Sequence, residues 1–168
     1  PTPVCVNSTG NVYTTEAGKT NYTWTVSSGG TITAGGGAGS NTVTVTWNTA
    51  GAKTVSVNYT DANGCTAATP TVKNVTVSPL PVPTLTGPSS VCLNSTGNLY
   101  TTESGMTNYI WTVVGGTITA GGTSTSNTAT VTWTVVGAKS ISVKYTNASG
   151  CTAATPTVYN VTVNPLPV

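Results

Sequence analysis

The 168-residue sequence contains no histidine, no phenylalanine and no arginine. Without histidine, neither a Ser-His nor a Cys-His nucleophile pair can be built. Acidic residues are nearly as scarce, since Glu16, Asp61 and Glu103 are the only three. Glycoside hydrolysis usually needs two carboxylates about 5 to 10 Å apart, and a calcium site needs several carboxylate oxygens. We therefore expect a protein that is not an enzyme and that holds no metal or other cofactor.

Charge is also sparse, because five lysines and three acidic residues give a net charge of +2. Nucleic-acid interfaces cluster basic side chains on one face, whereas these five lysines are scattered along the chain. No apolar run is long enough to span a bilayer, and the sequence shows no signal peptide and begins without methionine. These features predict no nucleic-acid partner and no membrane span, and they suggest a mature product or an excised fragment.

The chain consists of two copies of one sequence repeat. Residues 4–26 match residues 91–113 at 18 of 23 positions with an offset of 87, and residues 64–72 match residues 150–158 without a change at an offset of 86. The repeats predict two domains, residues 1–80 and residues 88–168, joined by a proline-rich linker at 81–87. Domains this small bury only about 60 to 65% of their unfolded surface, so they usually need an additional covalent or metal constraint.

The four cysteines are candidates for that constraint, because Cys5 and Cys65 fall in the first copy and Cys92 and Cys151 in the second. The simplest connectivity is one disulfide per domain, with free buried thiols as the alternative. Such a bond would stabilise each domain by about 4 kcal/mol in the chain-entropy model. Two sulfurs per domain and no histidine do not complete a zinc site. Paired cysteines are typical of an oxidising compartment, which predicts an extracellular location.

Strict alternation of apolar and polar residues predicts β-strands throughout and no helix. The clearest case is 21–26, where Tyr22, Trp24 and Val26 point to one face and threonines to the other. Seven such runs per copy, separated by glycine-rich turns, predict an all-β fold of two tandem antiparallel sandwiches. Residues 35–40 are too rich in glycine for a regular conformation and predict a mobile loop. The predicted core aromatic residues are Tyr22, Trp24, Trp47, Tyr59, Tyr109, Trp111, Trp133 and Tyr145.

The linker alternates proline with other residues from Pro79 to Pro83, which predicts an extended, semi-rigid spacer that holds the two domains apart. The second copy closes with the same pattern at residues 165–168. We therefore expect a further repeat in the parent protein, with neighbouring repeats of the same polypeptide as partners.

The pattern of cysteine, two tryptophans and Asn63-Gly64-Cys65 resembles the PKD-like, immunoglobulin-like repeats of Bacteroidota cell-surface proteins. The resemblance covers both copies, although the Trp-Asp-Phe-Gly-Asp-Gly motif of ordinary PKD domains is missing after Trp24. It implies immunoglobulin-like sandwiches in a secreted or surface-attached protein, such as a gliding-type adhesin exported by the type IX system. The function that it implies is a non-enzymatic stalk or spacer of an adhesin or surface filament.

Three alternatives remain at this stage. The glycine-rich loops at 35–40 and 121–126, or Tyr159 in place of Lys73, would serve a glycan- or protein-binding module. A self-assembling fibre subunit is a second hypothesis. A third is a lysine–asparagine isopeptide bond promoted by a buried acid, for which the matched residues are Lys53 and Lys139, Asn74 and Asn160, and Glu16 and Glu103. Exposed polar residues on strand ends are the commoner explanation.

Overall fold

The computed structural model describes residues 4–167 and divides the chain into two compact units, Pro1–Pro79 and Leu80–Val168. The first three residues and Val168, which ends the second proline-rich run, lie outside the described residues. Residues 4–167 form strands, turns and bends and contain no helix, so no described segment is a helix that could cross a membrane. The predicted all-β class is confirmed.

The first unit is a sandwich of two sheets. Its four-stranded sheet has the order β1-β7-β6-β3, and its three-stranded sheet has the order β2-β5-β4. All pairs are antiparallel except β1 with β7, which run parallel. The strands are β1 (Val4–Cys5), β2 (Asn11–Thr14), β3 (Thr20–Val26), β4 (Gly30–Gly35), β5 (Thr42–Trp47), β6 (Gly51–Thr60) and β7 (Thr71–Ser78).

The second unit repeats this plan. Its four-stranded sheet has the order β10-β13-β14-β8, its three-stranded sheet has the order β11-β12-β9, and the first and last strands, β8 and β14, again run parallel. The strands are β8 (Ser90–Cys92), β9 (Asn98–Thr101), β10 (Thr107–Val114), β11 (Gly116–Gly121), β12 (Thr128–Trp133), β13 (Gly137–Thr146) and β14 (Thr157–Asn164).

Alternation along the central strands builds each core. In β5, Val43, Val45 and Trp47 are fully buried while the threonines between them are half-buried, and β12 does the same with Ala129, Val131 and Trp133. The period of two places one apolar row between the sheets, which is why threonine-rich strands can still form a dry core. Burial of apolar surface of this kind is the main stabilising term for each unit.

Each buried tryptophan also has a polar partner. The Trp47 indole donates to the Tyr13 hydroxyl at 3.0 Å, and the Trp133 indole donates to the Tyr100 hydroxyl at 3.1 Å. Burial raises the pKa of both tyrosines, with the indole hydrogen bond acting in the opposite direction. These pairs satisfy an N–H that would otherwise be lost inside the core.

A buried asparagine starts the second strand of each unit. The Asn11 side-chain amide donates to the carbonyls of Ser8 and Val45, and Asn98 makes the equivalent bonds to Ser95 and Val131. Val45 is also the residue opposite Asn11 in the β2–β5 register. The amide therefore ties the preceding turn to one position of the neighbouring strand.

Residues 83–87, which the sequence predicts to be linker, pack on the second unit. Leu85 is 8% exposed and belongs to that unit's core cluster, and Thr86 forms a β-bridge with Thr101. The predicted linker at 81–87 is therefore too long, because a single leucine among prolines and threonines supplies enough apolar surface to dock.

Candidate functional site

A groove of about 400 Å³ opens along the edge of the first unit. Its walls come from the edge strand β2, from the middle of the four-stranded sheet and from the start of β7. We call it the edge groove; its lining residues are Val12, Tyr13, Thr14, Thr15, Trp24, Val55, Val57, Thr71, Val72 and Lys73.

The corresponding position of the second unit is filled by residues 83–87, which we call the leading segment. Thr86 exchanges two backbone hydrogen bonds with Thr101, with N···O distances of 3.0 and 2.9 Å. Leu85 enters the core beside them. Thr101 corresponds to Thr14, so the leading segment lies against the strand edge that no segment among residues 4–167 pairs with in the first unit.

Side chains of the last strand hold the other side of the leading segment. The Thr157 hydroxyl donates to the Pro83 carbonyl at 2.6 Å, and the Tyr159 hydroxyl donates to the Gly87 carbonyl at 2.7 Å. A Cβ atom on Gly87 would lie 2.4 Å from the Tyr100 ring, so only glycine fits at this point. In the first unit, Thr71 and Lys73 stand at the positions of Thr157 and Tyr159, and both line the edge groove.

Glu103 is the acceptor that fixes the start of the leading segment. Its carboxylate receives hydrogen bonds from the Thr84 backbone N–H and hydroxyl and from the Thr102 hydroxyl, at 2.6 to 3.1 Å. Burial raises the pKa of Glu103, but these hydrogen bonds to the charged form outweigh it and lower the pKa to about 2. Nearby, burial and the Glu103 carboxylate raise the pKa of Tyr145 to about 12.

Glu16, the counterpart of Glu103, is exposed and is bonded mainly by its neighbour. The Thr15 hydroxyl donates to it at 2.6 Å, and this bond is the main cause of its lowered pKa. In the second unit the equivalent Thr102 hydroxyl also lies 2.6 Å from the Thr84 carbonyl. Sequence reasoning missed this role of Glu103, and the only signal was an acidic residue recurring at matched positions.

The cysteines do not form the predicted bond within each unit. Cys65 and Cys92 are exposed free thiols, whereas Cys5 and Cys151 are both disulfide-bonded. Cys5 pairs with Ser78 at the end of β7, next to the first residues of β6, while Cys65 follows the last residue of β6. The ten residues of β6 separate these positions by roughly 30 Å.

The second unit has the same arrangement. Cys92 pairs with Asn164 at the end of β14, and Cys151 lies in the turn after β13, at the opposite end of the sheet. A disulfide requires the two Cα atoms to lie within about 7 Å, so the two cysteines of one unit cannot reach each other. Spacing in the sequence could not show this, because it gives no information on which end of a sheet a turn occupies.

Five of the eight aromatic residues predicted for the core are buried. They are Tyr22, Trp47, Tyr109, Trp133 and Tyr145. Tyr59, Trp24 and Trp111 are half-buried. The Tyr22 hydroxyl donates to the Glu16 carbonyl at 2.7 Å and receives the Lys19 backbone N–H at 3.0 Å, so it closes the turn before its own strand.

The half-buried tryptophans hold the glycine-rich loops. The Trp24 indole donates to the Ser40 carbonyl at 3.0 Å, and the Trp111 indole donates to the Ser126 carbonyl at 2.9 Å. Backbone bonds from Tyr22 to Ala38 and from Ser40 to Gly37 add to this in the first unit. The loop that the sequence predicts to be mobile is therefore anchored at several points.

The other proposed site residues are dispersed. The Lys53 ammonium donates to the Ser28 carbonyl and the Thr49 hydroxyl, and Asn74 is exposed on β7. Among residues 4–167, no three acidic or cysteine side chains come together as a metal-binding group.

A family model described as "PKD-like domain" matches residues 1–75 and 78–161. The two matches cover nearly the whole chain, one for each unit. The chain belongs to the PKD-like domain family. The comparison with curated proteins gives no match.

The chain also has matches among solved structures, all at low sequence identity. The chain is 15% identical to the D00-D0 domain of intimin, with 94% of this chain and 95% of that chain covered and a TM-score of 0.42. It is 15% identical to invasin, described as a bacterial integrin-binding protein, with 88% and 32% covered and a TM-score of 0.43. For the surface layer protein SbsC, domains 1–6, the values are 16% identity, 88% and 20% coverage and a TM-score of 0.37.

Proposed function

We propose that this PKD-like pair is a non-enzymatic stalk or spacer of an extracellular bacterial surface protein, such as an adhesin or a surface filament. The gliding-type adhesins of Bacteroidota are the specific setting that the sequence resembles. The single observation that carries the proposal is the path of the chain through each sandwich. The proposed partners are neighbouring repeats of the same polypeptide.

The path is clearest in the second unit. Pro83 lies beside Thr157 at the start of β14, and the chain then follows β14 until Cys92 reaches Asn164 at its far end. The chain therefore begins its course at one end of the unit and leaves from the other. A unit that the chain enters at one end and leaves at the other separates whatever is attached at its two ends, which is what a spacer needs.

The first and last strands also lie parallel, as β8 with β14 and β1 with β7. When such a unit is pulled by its two ends, the two strands slide in opposite directions. Their inter-strand hydrogen bonds then carry the load together and do not open one at a time. This arrangement favours resistance to tension along the chain.

Single-molecule force spectroscopy on the reduced chain, held by its two termini, tests the proposal. We expect two unfolding steps, each releasing roughly 260 to 290 Å for about 80 residues. A matched variant with Thr162→Pro removes the backbone N–H that donates to Ser89 and should lower the force of one step only. Extension at low force without discrete steps would contradict a load-bearing spacer.

A further inference from the structure

We infer that the edge groove of the first unit is a binding site for an extended strand with the chemistry of residues 83–87, supplied by another PKD-like repeat. This inference does not depend on the stalk function. It rests on a direct comparison inside one chain, because the second unit shows the same groove with its occupant in place.

Four positions that bond the leading segment have the same residue type in both units. Thr14, Thr15, Glu16 and Thr71 of the first unit correspond to Thr101, Thr102, Glu103 and Thr157, each of which bonds the leading segment in the second unit. The same donors and acceptors are therefore present in the first unit, in the same order along the same strands. A strand that pairs with Thr14 would extend the three-stranded sheet, as Thr86 does beside Thr101.

The pattern of the occupant follows from the contacts of the leading segment. A leucine at its centre fills the apolar part of the groove, as Leu85 does, and a glycine two residues later avoids the tyrosine ring. Proline at the start leaves a carbonyl for the threonine hydroxyl without adding an unpaired N–H. The preferred ligand is thus an extended Pro-Thr-Leu-Thr-Gly segment.

Two apolar positions differ only in size, with Leu99 in place of Val12 and Ile141 in place of Val55, and one polar contact differs between the two grooves. Lys73 stands where Tyr159 donates to the Gly87 carbonyl and packs against Tyr100 at a ring distance of 6.0 Å. We expect the first unit to hold the segment more weakly than the second, and Lys73→Tyr to strengthen binding.

A synthetic peptide of residues 82–88 tests the site when it is titrated into the full chain. We expect slower hydrogen exchange at the Thr14 amide and a higher unfolding temperature of the first unit. A peptide with Leu85→Asn loses the buried side chain and should bind at least about tenfold more weakly. A Gly87→Ala peptide tests the clash with the tyrosine ring, and the chain variant Thr14→Pro removes the donor that faces the strand.

Fusing the segment to the first unit distinguishes a free peptide that binds weakly from a groove that does not bind the segment at all. The sequence Val-Pro-Thr-Leu-Thr-Gly placed directly before Pro1 reproduces the register of residues 82–88. We expect it to raise the unfolding temperature of the first unit, and the same fusion with asparagine for leucine to leave that temperature unchanged. Equal effects of the leucine and asparagine versions, or no effect of either, would overturn the inference.

Discussion

The two units share a scaffold and differ at one edge. In both, a buried tryptophan donates to a buried tyrosine, and an asparagine amide ties β2 to β5 or β9 to β12. Only the second unit is described with a leading segment, which contributes Leu85 to the core and engages Glu103. The second unit therefore begins, as a structure, several residues before its first strand, β8.

The largest expected effect concerns what the units share. Trp47→Ala and Trp133→Ala should each destabilise their own unit by about 3 to 5 kcal/mol, because both indoles are fully buried. Denaturant unfolding followed by hydrogen exchange in each unit measures the two costs. A large difference between them would show that the scaffolds are not equivalent.

Leu85→Ala should sharpen the difference between the units. It removes a buried side chain from the second core, so we expect a loss of about 2 to 3 kcal/mol there and no change in the first unit. Leu166→Ala is a matched control in the same unit, since Leu166 follows β14 and is 55% exposed. Similar losses for the two variants would argue that the leading segment does not stabilise the second unit.

Tyr13→Phe and Tyr100→Phe test the buried hydrogen bond without changing the size of the ring. Each leaves an indole N–H without its acceptor, at a cost of about 1 to 3 kcal/mol. Tyr100→Phe also loses the bond to the Pro88 carbonyl. Urea unfolding followed in each unit measures the loss of unfolding free energy, and an unchanged stability of both units would contradict a stabilising role for the indole bond.

The smallest effect is a dependence on pH that separates the two glutamates. The pKa of Glu103 is lowered from 4.5 to about 2, so its contribution to stability is complete above about pH 4.5 and is lost as the pH falls towards 2. Glu103→Gln should remove this part of the acid sensitivity of the second unit in thermal melts at pH 2 to 7. Glu16→Gln should change the first unit less, because Glu16 is exposed, and an equal change would contradict the assignment.

The sandwich could be predicted because its signal is local. Alternation in β5 and β12 identifies which residues face the core, and the repeat offset identifies two copies. Five of the eight aromatic residues chosen from this alternation are buried, whereas Trp24 and Trp111 also serve the neighbouring loops through their indole N–H groups. Anchoring of that kind depends on a carbonyl 15 or 16 residues away in the sequence, which periodicity cannot show.

The candidate site was not visible in the sequence for a related reason. Leu85 is one apolar residue among prolines and threonines, and its burial depends on core residues that come from several distant strands of the second unit. The disulfide prediction failed because Cys5 and Cys65 share a unit but lie at opposite ends of β6. In both cases the missing information is the placement of strand ends, which only the folded topology supplies.

The buried side-chain amides of Asn11 and Asn98 select one register of the strand pairs in which they lie. If β2 slipped by one residue against β5, the amide would leave the Val45 carbonyl and turn away from its partners, and a polar group would be stranded in a dry interior. Adjacent repeats with nearly the same sequence offer many almost-correct pairings during folding. Because the asparagine amide is satisfied in only one register, misaligned strand pairings are less stable than the native pairing and dissociate sooner.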